Sequence, residues 1–212
     1  MGHFFVVKRL LAMGADVHAE DKWGFNVLID ASETGHAKIV RLLIAHGAKV
    51  NPKKAIAYTP LMAAAEWGYA RAMEILLKKG ANVNAIDPLG RTALNTAAID
   101  HWHTIPLLLS YVADVHAVND SALIIAFRMR IYHAVNLLLA HGADVNACDK
   151  NGCTALMWAS RWGWPDVVKA LLEKGADGTA VDRHGKTARD YAEQGAIYHN
   201  EDRNLTIRKL LS

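Results

Sequence analysis

The sequence predicts an all-α repeat solenoid, a stack of helix–turn–helix units with short β-hairpin-like fingers between them. Three recurring phrases predict it. The first reads "MGADVHA" at 13–19, "HGAKVNP" at 46–52, "KGANVNA" at 79–85, "HGADVNA" at 141–147 and "KGADGTA" at 174–180, with "YVADVHA" at 111–117 as a damaged copy. Its glycine position falls at Gly14, Gly47, Gly80, Val112, Gly142 and Gly175, at spacings of 33, 33, 32, 30 and 33 residues. The second phrase runs "YTPLMAAAEWG" at 58–68, "RTALNTAAID" at 91–100, "CTALMWASRWG" at 153–163 and "KTARDYAEQG" at 186–195. The third is Leu-rich: "IVRLLIAHG" at 39–47, "MEILLKKG" at 73–80, "AVNLLLAHG" at 134–142 and "VVKALLEKG" at 167–175. No single unit can bury its own apolar face, so the units must stack.

Each element follows from local chemistry. In "TPLMAAAEWG", Thr59 is a good N-cap, and Pro60 suits the first helical turn because its missing N–H costs nothing there. The alanines that follow favour helix and let a neighbouring helix approach closely. Gly68 ends the run as a C-terminal glycine. "MEILLKKG" makes a second short helix with an apolar face and lysines in its last turn. The quartets "DKWG", "DPLG", "DKNG" and "DRHG" are turn chemistry between short extended residues. The boundaries that result are a half-repeat at 1–19, repeats at 20–52, 53–85, 86–117, 118–147 and 148–180, and a C-terminal capping repeat at 181–212, read as a single domain.

Three places depart from the period. The chain starts inside a repeat, with the second helix of "FFVVKRLLAMGADVHA" but no first helix. In "VADVHAVNDSALIIAF" at 112–127 the glycine and the Asp-x-x-Gly turn are gone, so the finger between residues 114 and 122 should be the shortest and the groove most open there. Pro106, inside the second helix that precedes this finger, should kink that helix. Near the end, Arg189 stands where Leu is expected, and an insertion around "GAIYHNEDRN" delays the last helix.

Composition narrows the function classes. A hydrophobic content of 52% is ample for a core, and a net charge of +3 is too weak to argue for nucleic acid without a clustered patch. No apolar run approaches a membrane helix, and the start lacks a signal peptide's plan; Val6 also breaks a myristoylation signal. Two cysteines make no disulfide framework, so a reducing, cytoplasmic setting and a monomer are expected.

No catalytic set, cofactor site or metal site is expected either. "HWH" at 101–103 has a spacing a metal could use, yet spacing places no third ligand. His46 and His141 share one repeat position and read as structural. Cys148 and Cys153 flank the turn "DKNG"; free thiols are expected, with a cross-finger disulfide as the open alternative. Ser32, Ser110, Ser121 and Ser160 have no partnered His and acid, and Asp21, Asp87, Asp149 and Asp182 read as turn formers.

The three phrases together resemble the ankyrin repeat, over essentially the whole chain. That resemblance implies that the fingertips and one face of each first helix line a concave groove for a protein partner. Carried over position by position, it selects Trp23, Phe25, Tyr58, Trp67, Leu89, Arg91, Ile99, Arg128, Met129, Trp158, Arg161 and Trp162. Lys22, Glu33, Thr34, Glu66, Pro88, Asp100, Lys150 and Asn151 stand beside them. Trp158, Arg161 and Trp162 share a helix face by their spacing. Trp, Tyr, Arg and Met are the types enriched at interface centres, although Trp158 and Trp164 could instead pack between repeats. Lys38, Arg41, Lys78, Lys79 and Lys169 read as a solvated outer face.

The function expected is a non-enzymatic protein-interaction scaffold. The alternative is the recognition part of a larger enzyme or secreted effector. A third reading takes Asn51, Asn84 and Asn146, each following Val and eight residues after a Leu, as resembling the targets of an asparaginyl hydroxylase; against it, Asn is a framework turn residue.

Overall fold

The computed structural model describes residues 2–51, 58–116, 121–195 and 201–212, which hold thirteen α-helices and one 3₁₀ turn. They fall into two units, Met1–Asp114 and Val115–Ser212.

Unit 1 contains α1 (Gly2–Ala12), then the pairs α2 (Val27–Glu33) and α3 (Ala37–Ala45), α4 (Pro60–Glu66) and α5 (Ala70–Lys78), and α6 (Ala93–Asp100) and α7 (Ile105–Ser110). First helices pack on first helices, α4 lying between α2 and α6, while α3 packs on both α1 and α5. Unit 2 repeats the plan with α8 (Ala122–Arg128) and α9 (Tyr132–Ala140), α10 (Ala155–Arg161) and α11 (Pro165–Glu173), and α12 (Ala188–Gly195) and α13 (Glu201–Leu210). There α10 lies between α8 and α12, and α13 packs on α11 and α12.

Thr59 caps its helix as the sequence predicts, and the same position is used in other repeats. Thr59, Thr92, Ser121 and Thr154 each accept a backbone N–H three residues on, from Met62, Asn95, Ile124 and Met157. Asn26 caps α2 in the same way, accepting from Leu28 and Ile29. Two residues after each cap stands a fully buried leucine: Leu28, Leu61, Leu94, Leu123 and Leu156. These leucines form the core ladder, and the alanines around them let first helices approach (Ala63, Ala64 and Ala65 have no exposed surface). At the same position in α12, Arg189 stays exposed and reaches Glu193 at 3.9 Å.

The fingers carry less β-structure than hairpins do: among the described residues each shows at most a lone antiparallel bridge, Glu20 with Asn26 and Cys148 with Thr154. Their shape comes from the aspartates. Oδ1 of Asp21 accepts the N–H groups of Trp23 and Phe25, and Asp87, Asp149 and Asp182 do the same for their own turns at 2.8–3.0 Å. These carboxylates are turn formers.

At three junctions an asparagine links one repeat to the next. Asn51 donates its amide to the Gly80 carbonyl at 2.8 Å and accepts the Asn82 N–H at 2.8 Å. Asn84 bonds Val112 and Asp114, and Asn146 bonds Gly175 and Asp177, with the same two-sided geometry. The framework reading of these residues accounts for them fully. His46 and His141 donate from Nδ1 to the carbonyl four residues back, at 2.9 and 2.8 Å, and so finish α3 and α9. Lys38, Arg41, Lys78, Lys79 and Lys169 are exposed, as the outer-face reading requires.

The irregular stretches hold corrections. Pro106 does not kink a helix. It sits in the first turn of α7, behind the 3₁₀ turn Trp102–Thr104, where no N–H is missed. Val112 keeps the turn that glycine makes elsewhere: it adopts φ +60°, and the next N–H, from Ala113, bonds Leu108 just as Ala81 bonds Leu76. The trimmed finger falls mostly on residues 117–120, and the C-terminal insertion on 196–200; both expectations lie outside the described residues.

Candidate functional site

Register arithmetic brings the unit 1 candidates together. Phe25, Tyr58 and Arg91 each precede a first-helix cap and recur every 33 residues, and Glu33, Glu66 and Ile99 share one position near the helix ends. In space the Phe25 and Tyr58 rings lie with centroids 6.0 Å apart. The Tyr58 hydroxyl donates to Glu66 Oε2. With Glu33, Asp87, Pro88, Leu89 and Arg91 these residues line a cup of about 400 Å³.

The cup carries a net negative charge. Asp87, almost fully buried, receives the Arg91 Nε–H at 2.7 Å as well as the two finger N–H groups. Burial alone would raise its carboxyl, but these hydrogen bonds and the Arg91 charge hold it below the usual range. The Tyr58 hydroxyl is pushed far up, first by burial and then by its bond to Glu66 and the charges of Glu66 and Glu33. Three carboxylates face one guanidinium, and that guanidinium is already paired.

Of the other unit 1 candidates, Leu89 lines the cup, and Trp23, Trp67 and Ile99 are not among its lining residues. Trp23 is 58% exposed at a fingertip, with the Lys22 ammonium 4.1 Å over its ring. Trp67, the C-cap of α4, is 52% exposed, and Leu89 is 69% exposed at the rim. Ile99 is half-buried on α6.

In unit 2 the spacing-based patch is present. The Trp158 and Trp162 rings stack with centroids 5.8 Å apart, and the Arg161 guanidinium lies 5.9 and 5.7 Å from them. Two details modify how it is read. The Trp162 indole N–H donates to the Phe127 carbonyl at 2.8 Å, so this ring also ties α10 to α8. The Trp158 indole N–H is buried without a partner. Trp164 packs between repeats, against Phe127 and Tyr132 at 5.9 and 5.5 Å. Arg128 and Met129 stand exposed at the end of α8.

One residue missed by the sequence reading joins this patch. Arg130 holds φ +60° where Gly35, Gly68 and Gly163 stand in other repeats, and its guanidinium lies 4.2 Å over the Trp162 ring. Nine residues past Asn26, Thr59 and Thr154 stands a glycine, so counting from Ser121 would have flagged it. Arg130 also helps line a hollow of about 490 Å³ with Tyr132, Trp164, Asp166 and Arg203.

The chemistry-bearing residues fall elsewhere. His101 and His103 make an edge-to-face contact, and the His101 ring fills the space beside Gly68. Among the described residues no group of three or more His, Cys, Asp or Glu converges as metal ligands would. Nor is any helix there long and apolar enough to cross a membrane. Cys148 and Cys153 are both free. They do not face each other because Cys148 bridges Thr154, which leaves Cys153 pointing into the core. Cys153 Sγ lies 3.1 Å from the Tyr191 hydroxyl, which donates to Asp182 at 2.8 Å. The tyrosine proton is thus committed, the thiol must be the donor, and burial pushes that thiol up.

Comparisons with known proteins agree with the fold. The family profile for ankyrin repeats, in three copies, matches residues 1–87, 72–149 and 132–201. The ankyrin repeat domain of Bcl-3 is 28% identical with a TM-score of 0.76, covering 97% of this chain and 91% of that one. The human ASB11 ankyrin repeat domain is 24% identical with a TM-score of 0.81, covering 99% and 93%. A chain in the structure of the predatory endopeptidase Bd0816 from Bdellovibrio bacteriovorus with its immunity protein Bd3460 is 28% identical, with a TM-score of 0.72 and coverage of 90% and 99%. No curated protein sequence matches the chain.

Proposed function

Because the chain belongs to the ankyrin-repeat family, whose repeats are protein-interaction modules, we propose that it is a non-enzymatic scaffold that grips a protein partner through its finger and first-helix faces. It acts as a monomer in the cytoplasm. The observation that carries this reading is where the bulky side chains stand. The repeat framework is satisfied by buried Leu, Ala and capping residues, yet Trp23, Trp67 and Leu89 are more than half exposed at positions no framework contact requires. Large exposed aromatic and apolar groups on a rigid scaffold bind with little ordering cost.

The test is affinity capture from the native host, followed by titration of the captured protein against variants. Trp23→Ala and Trp67→Ala should each weaken binding by roughly tenfold or more and leave the thermal midpoint within about 2 °C. Arg161→Ala is the unit 2 counterpart. Trp162→Ala is a poor probe because it also removes a bond to α8. A specific partner whose affinity ignores Trp23, Trp67 and Arg161 would overturn the assignment of the faces.

A further inference from the structure

We propose that the cup of unit 1 is a specificity pocket for one basic side chain, Arg or Lys, of the partner protein. This inference rests on the partner-binding reading above and narrows it to a residue type. Charge complementarity selects the occupant. Glu33 and Glu66 face the hollow, and the Arg91 guanidinium is engaged by Asp87 through its Nε–H at 2.7 Å. A positive group entering the cup meets uncompensated carboxylates, whereas an acidic one meets repulsion.

Shape agrees. Phe25 and Tyr58 form one wall, with the rings tilted at 44°, and Pro88 and Leu89 form the rim. A long basic side chain lays its apolar stem along such a rim and puts its charge over the ring faces, in reach of the carboxylates. The cup's 400 Å³ is near the small end of ligand clefts, suited to one anchor rather than a folded element. The hydrogen bond from Tyr58 to Glu66 holds one carboxylate in place before the partner arrives. Unit 2 has no equivalent: where Glu33 and Glu66 stand after their caps, it has Arg128 and Arg161.

The probe is a positional-scanning library of decapeptides, each pool fixed at one central residue, titrated against the full chain. Pools fixed as Arg or Lys should be retained about tenfold more than Leu, Gln or Glu pools, and raising the salt should shrink the difference. The double variant Glu33→Gln, Glu66→Gln should lose the preference while keeping its thermal midpoint. Tyr58→Phe keeps the ring and both carboxylates, so it should retain the preference. A preference that survives in the double variant overturns the pocket. So does enrichment of Leu or Glu pools, and so does failure to retain any basic pool. The two readings separate cleanly: retention that falls with Trp23→Ala or Trp67→Ala but shows no basic preference sinks the pocket and leaves the binding face standing.

Discussion

Replacing Val112 by glycine should stabilise the protein, which is unusual for removing a hydrophobic residue. Val112 adopts φ +60°, where a β-branched side chain crowds its own backbone, and five other repeats place glycine there. The left-handed conformation costs an L-residue about 1–2 kcal/mol relative to glycine. The side chain is 81% exposed, so truncation forfeits almost no burial. Against this stands the extra freedom of glycine in the unfolded chain, about 0.5–1 kcal/mol. The net gain is about 0.5–1 kcal/mol, a rise of a few degrees in midpoint for a unit of this size. The reverse substitution supplies the control. At Gly80, φ is +80° and a Cβ would meet nothing within 4 Å, so Gly80→Val carries the conformational penalty, offset by the unfolded-chain freedom it removes, and should cost about 0.5–1 kcal/mol. Urea unfolding followed by far-ultraviolet circular dichroism measures both. The strain argument fails if Val112→Gly is neutral or destabilising, or if Gly80→Val costs nothing.

Two more outcomes follow from the same geometry. Gly195→Ala should destabilise unit 2 by about 1–3 kcal/mol, since the new Cβ would lie 2.4 Å from the Arg161 carbonyl oxygen in the tight contact of α10 with α12; an unchanged unfolding midpoint would contradict that packing. The finger at 87–91 should loosen in acid. Asp87 is held below its ordinary value of 3.8, so its contribution is complete above that pH and is lost as pH falls through the lower native value. An NMR titration of Asp87 with midpoint at or above 3.8 would rule this out, and protection of the Leu89 and Arg91 amides should fall in step with it.

Much of the architecture was legible because one structural unit reads out several times. A leucine two residues after each cap recurs at Leu28, Leu61, Leu94 and Leu156, with alanines beside it and, in all but the Leu94 repeat, a terminal glycine, so the helix pairs and their stacking follow from the period. The turn aspartates were equally plain, since Asp-x-x-Gly is local chemistry. What escaped is contact across repeats. Arg130 lies over Trp162, and Trp162 bonds Phe127, through separations of 32 and 35 residues and particular rotamers that spacing along one helix does not convey. Pro106 was misplaced because the α-helix starts only one residue before it, behind a 3₁₀ turn. Of the candidate residues, Phe25, Tyr58, Leu89 and Arg91 meet in one cup and Trp158, Arg161 and Trp162 in one patch, while Trp23, Trp67 and Ile99 stand apart from the cup.

The asparagine bonds carry a consequence for how such a chain changes over generations. Each one reaches 28 to 31 residues ahead, about one period, and never further. A unit duplicated in register therefore arrives with its own fastening to the next and requires no compensating change elsewhere. Loss of a unit is equally self-contained. Wherever that asparagine stands, the array can lengthen or shorten by a whole repeat, and the surface it offers with it, without a new kind of junction.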